Sequence, residues 1–148
     1  MTPSTRAILL DLAQRMGGVF APDLRSPYLA GSAGLTSAVL MLVAEESDRA
    51  AHRLVEENRA IRGVFGDAGR LSPPAALAER LNALSAGEDL DLHVSALQAA
   101  NDDLRRTLIE LHAFVEGETS TAAREVEAAI WAELSASTRR RVSMMGGF

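Results

Sequence analysis

The stretch LDLHVSALQAANDDLRRTLIELHAFV, residues 90–115, carries the clearest structural signal in the chain. Within it Leu90, Val94, Leu97, Asn101, Leu104, Leu108, Leu111 and Val115 follow one another at alternating steps of four and three. Such a seam is the apolar face of a helix with heptad spacing, with Val94, Asn101, Leu108 and Val115 at a and the leucines at d. A strand would alternate at steps of two, and no segment of the chain does so. The spacing predicts a helix over about 89–115, stopped at Gly117.

Outward from this seam the rest of the chain also reads as helix. Residues 4–16 carry Thr5, Leu9, Leu12 and Met16 at helical spacing before Gly17-Gly18. A second helix is expected over 32–65, ended by glycines at 63, 66 and 69. Its first third, LTSAVLMLVA, is apolar on every side, which predicts a central, surrounded position. A short helix over 73–85 starts with two prolines after a capping Ser72, and a last helix begins after Thr119 or Ser120 and runs to about Arg141. Between the first two helices, Pro22 and Pro27 break the pattern, so residues 17–32 are read as an ordered crossing loop. Residues 143–148 are read as a flexible tail. The fold expected is all-α: one domain over 1–148, an antiparallel bundle of four main helices plus one short helix.

The second helix carries a weaker copy of the seam: Ser47, Ala51, Leu54, Asn58, Ile61 and Phe65. Aligned, Leu54-x3-Asn58-x2-Ile61-Arg62 matches Leu97-x3-Asn101-x2-Leu104-Arg105. An asparagine on an apolar seam loses water and fixes helix register when its amide finds a partner. Asn58, Asn101, Leu97 and Leu104 are therefore the helix-pairing candidates, within the chain or across a dimer. An imperfectly paired buried amide costs about 1–3 kcal/mol. On that reading Asn101→Leu raises stability and loosens register.

The composition excludes much chemistry. The chain has no cysteine and no lysine, so thiolate, disulfide, Schiff-base and P-loop lysine chemistry are absent. Arginine alone supplies the fifteen basic residues, which GC-rich codon usage explains. A net charge of −5 gives no general attraction for nucleic acid or an anionic membrane, and neither is expected as a partner. No run is read as long enough to span a bilayer, the start lacks a signal peptide's basic region, and a cytoplasmic location is expected.

The pairs Asp48/His52, Asp89/His93 and His112/Glu116 each sit at i,i+4, but the Glu-x-x-His pattern of helical metal sites is missing. Glu56-Glu57 reads as a solvated face, and Arg139-Arg140-Arg141 as a complement to a helix dipole. No catalytic residue, metal site or cofactor is expected. The leading expectation is a non-enzymatic structural, regulatory or accessory bundle, a homodimer that can also engage another protein. The alternative is a small-molecule or acyl-ligand binder with a pocket beneath the 17–32 segment, near Arg25, Tyr28, Gly31 and Gly34.

Overall fold

The structure, a computed structural model, describes residues 2–142. Its elements are α1 (Thr5–Arg15), a π-helical turn (Met16–Phe20), the single turn α2 (Ala21–Asp23), α3 (Pro27–Ala68), α4 (Ala75–Ser85), α5 (Val94–Glu116) and α6 (Thr121–Arg141). No strand occurs among the described residues, and the chain is all-α. It divides into two compact units, one ending at Ala50 and one of Ala51–Val142. The expected tail, 143–148, lies outside the described residues.

Most of the expected crossing loop is helix, and only Leu24, Arg25 and Ser26 lie between helices. Gly17-Gly18 does not stop the chain but forms the π-helical turn. Pro22 and Pro27 both fall in the first turn of a helix, where no backbone donor is needed, so neither interrupts one. Ser26 starts α3: its Oγ accepts from the Leu29 amide at 3.5 Å and its carbonyl from Ala30 at 2.9 Å.

Three other boundaries moved. α3 runs to Ala68, so Gly63 and Gly66 lie inside it and do not stop it. Ser72 does not cap α4, whose N-cap is Pro74. α5 begins at Val94 instead of 89, which leaves Leu90 outside the helix and 88% exposed. Ser120 does cap α6, accepting from the Ala123 amide at 3.1 Å.

The unit of Ala51–Val142 has a conventional core. Ile61, Val64 and Phe65 of α3 meet Leu77 and Leu81 of α4, Leu104, Leu108, Leu111 and Val115 of α5, and Val126 and Ile130 of α6. From Leu97 to Val115 the α5 seam is buried.

The unit ending at Ala50 is built differently. α1 and the first part of α3 run antiparallel: Ser37 Oγ donates to the Ala13 carbonyl at 2.7 Å, and Arg6 meets Asp48 at 3.6 Å. The contact is close because its residues are small. A Cβ on Gly17 would lie 2.8 Å from Ser37 Oγ. The buried residues of this unit are Ala13, Ala33, Ser37, Ala44 and Ala50. LTSAVLMLVA is thus not surrounded: Leu35, Val39, Met41, Leu42 and Val43 are exposed. An all-round apolar stretch shows that contact is possible on every side, and α1 covers one side only.

Candidate functional site

Within Ala51–Val142, three helical seams turn polar at one level. On α3, Leu54, Glu57, Ile61, Val64 and Ala68 are buried at steps of three and four, and Glu57 stands among them with no exposed surface. On α5 the polar member is Asn101. On α6, the seam Ala123, Val126, Ile130 ends in Glu133 and Ser137. A polar side chain on one helix at this depth would be costly, and partners at the same level on the neighbouring helices remove the cost.

Glu57 is the hub. Its Oε1 accepts from Ser137 Oγ at 2.6 Å and from Arg141 Nε at 3.1 Å. Its Oε2 accepts from an Arg141 guanidinium nitrogen at 2.9 Å, from Arg105 at 3.0 Å and from Asn101 Nδ2 at 3.3 Å. Burial pushes the carboxyl pKa up, but the bonds from Arg141, Ser137 and Arg105 outweigh it and bring it from 4.5 to about 2. Arg105 also donates to Ser137 Oγ at 2.7 Å. The same level of α6 holds a fork-to-fork pair, Arg140 to Glu133 at 2.8 and 2.9 Å.

The four helix-pairing candidates meet here. Asn101 Nδ2 donates to Asn58 Oδ1 at 2.9 Å, so the two seams pair within the chain. Asn58 Nδ2 in turn donates to the Leu97 carbonyl at 3.3 Å and to both Asp89 carboxylate oxygens, at 3.1 and 3.2 Å. Asn101 Oδ1 accepts from Arg105 Nε at 2.9 Å. Leu104 lies in the apolar core below. The two matched arginines play parallel parts: Arg105 binds Glu57, and Arg62 binds Asp89 at 2.7 Å. For Asp89, burial raises the pKa and the bonds from Arg62 and Asn58 outweigh it, leaving it lowered. Asn101 is thus fully paired, which reverses the expected effect of Asn101→Leu.

Sequence reasoning missed Glu57, Asp89, Ser137 and Arg141. The signal for Glu57 was present in the 4-3 spacing from Ala50 to Ala68, but the neighbouring Glu56 made the pair look like a solvated face. From sequence Arg141 reads as a complement to the helix dipole, and its target lies eighty-four residues earlier in the chain, beyond the reach of any local pattern.

The ligand-pocket candidates fare otherwise. Arg25, Tyr28, Gly31 and Gly34 are all exposed, and a Cβ at either glycine would meet open space. Among the described residues, the segment expected to cover them as a loop is helical apart from Leu24, Arg25 and Ser26. A cleft of about 490 Å³ lies elsewhere, between α3 and the α4–α5 connection, with Arg59, Arg62, Glu88 and Asp89 on its walls. Of the three His-carboxylate pairs, His112 and Glu116 approach to 3.8 Å, while Asp48 turns to Arg6 and Asp89 to Arg62. No group of three or more potential metal ligands occurs among the described residues.

The most extensive unassigned feature is the outer surface of the unit ending at Ala50. Ile8, Leu12, Val19 and Phe20 from its N-terminal part, and Tyr28, Leu29, Leu35, Val39, Leu42 and Val43 from α3, are exposed. By length and composition α3 could also cross a membrane, and only 17% of the relevant 18-residue window is buried. No known family, curated protein or solved structure matches the chain.

Proposed function

We propose that this is a non-enzymatic structural or accessory protein that works by self-association, with the unit ending at Ala50 as its assembly element. The observation that carries this is the unit's missing core. A domain is stable when its elements bury their apolar faces against one another, and this hairpin buries alanines and a serine while its valines and most of its leucines are exposed. Exposed apolar patches of this kind mark interaction surfaces.

A second copy suits the surface better than a bilayer. The Ser37 contacts place residues 16–22 roughly level with 31–37 of α3. Residues 16–22 are the longest uncharged run in the first arm of the hairpin, between Arg15 and Asp23. The zone uncharged on both helices is therefore about 10 Å deep at 1.5 Å per residue, against a hydrocarbon core of about 30 Å. Charge also suits self-association: up to Ala50 there are four arginines against five carboxylates, and 26–44 carries none, so two copies meet there without like-charge repulsion.

The non-enzymatic reading is supported by the polar layer. Glu57 is saturated by donors and held at about 2, so it takes up no proton near neutral pH. Ser137 spends its hydroxyl proton on that carboxylate.

Light scattering after size exclusion tests the proposal. The expected mass is twice the 15.8 kDa chain, returning to one chain in Leu35→Glu with helicity retained. A monomeric parent that floats with phosphatidylcholine vesicles would overturn the proposal in favour of lipid, and a monomer that ignores vesicles would overturn it outright.

A further inference from the structure

We infer that the second copy docks antiparallel along the outer face of α3, with Leu35 against Val39 of the partner subunit; this rests on the self-association proposed above. The inference begins from spacing. Opposite the side that meets α1, the positions Tyr28, Ser32, Leu35, Val39, Leu42 and Glu46 recur at steps of four and three, and all are exposed. They form a short heptad seam, with Ser32, Val39 and Glu46 at a and Tyr28, Leu35 and Leu42 at d.

A seam can pair with its copy in two directions, and the ends of this one are unlike. A parallel pair would stack each side chain on itself, setting Glu46 against Glu46 of the partner subunit and joining two acidic ends, each with Glu45, Glu46 and Asp48 around one Arg49. Like charges directly opposed are unfavourable. An antiparallel pair centred between Leu35 and Val39 removes this conflict. In that register Leu35 meets Val39 of the partner subunit, Ser32 meets Leu42 of the partner subunit, and Tyr28 meets Glu46 of the partner subunit.

Each pairing is chemically sensible. The phenol of Tyr28 is a donor for a carboxylate, and the acidic end comes to lie beside the positive N-terminus of the neighbouring helix. The flanking positions agree as well. Ala38 flanks the two-fold axis, where a small residue allows close approach, and Leu29 lies diagonally across from Val43 of the partner subunit. The surface is isologous, as a two-fold dimer requires.

The chain has no cysteine, so engineered thiols report without interference. Ser32→Cys and Leu42→Cys are made as single variants and oxidised separately and mixed. The antiparallel register predicts a disulfide-linked dimer from the mixture at least tenfold in excess over either variant alone. Efficient linkage of Ser32→Cys or Leu42→Cys with itself would establish the parallel register and overturn the inference while leaving the dimer intact. Glu46→Gln gives a second reading without thiols: the dissociation constant should rise several-fold if Glu46 meets a tyrosine, whereas a fall would mean that two glutamates were being relieved. A parent that is monomeric by light scattering defeats the underlying reading, a result distinct from either.

Discussion

α3 belongs to both units, and its two parts are built on opposite plans. Up to Ala50 its buried positions hold alanine and serine and its large side chains face out; beyond it, Leu54, Ile61, Val64 and Phe65 are buried. The first part joins α1 through small residues, and the second joins three helices through large ones. What differs is the number of neighbours. A single neighbour covers one side of a helix, while a bundle of four closes around a core. The contrast teaches that apolar content says how much surface a helix can bury, and neighbours decide which side and how much.

The contrast is broken most directly by truncating one leucine in each part of the molecule. Leu104 is 1% exposed in the core, and Leu104→Ala should cost about 2–5 kcal/mol in denaturant unfolding at any protein concentration. Leu35 is 68% exposed, and Leu35→Ala should leave dilute-protein stability within about 0.5 kcal/mol. Its effect should appear as weaker dimerisation. Equal, concentration-independent losses from both would erase the distinction between the two units.

Next in size is the polar layer, which only the bundle possesses. Asn101→Leu should destabilise by about 1–3 kcal/mol, because Asn58 Oδ1 loses its donor and Arg105 Nε its acceptor. A raised melting temperature would show that the amide had been poorly paired. Acid should act on the same layer. Glu57 has a folded pKa of about 2 against 4.5 unfolded, so its contribution is complete above about pH 4.5 and is lost as pH falls towards 2. Asp89, also lowered, adds to the loss in the same direction. Glu57→Gln should flatten the acid limb of a stability–pH curve, and an unchanged limb would place the titrating groups elsewhere.

The smallest effect belongs to the hairpin. Gly18 faces open space, and Gly18→Ala should stabilise by up to about 1 kcal/mol through helix propensity. Gly17→Ala should lose that gain, because its Cβ would lie 2.8 Å from Ser37 Oγ. Thermal melts of the two variants compare them, and equal gains would mean that the close contact between α1 and α3 yields readily.

Local pattern in the sequence reveals that the chain is helical and where most helices lie. Periodicity, Gly117 and Ser120 are local signals that mark helices correctly, while Gly17, Gly18, Gly63 and Gly66 lie within helical segments. It also placed Asn58 and Asn101 on seams, because a polar residue in an apolar repeat is visible without coordinates. Tertiary structure decided the rest. Prolines at 22 and 27 start helices instead of breaking one, since their effect depends on whether each falls in a first turn. Glu57 and Arg141 meet only when α6 is laid against α3, a long-range pairing that no spacing within either helix encodes. Nor could the stretch LTSAVLMLVA announce its own exposure: an all-round apolar helix has no preferred side, and which side is buried is fixed by the neighbours that fold against it.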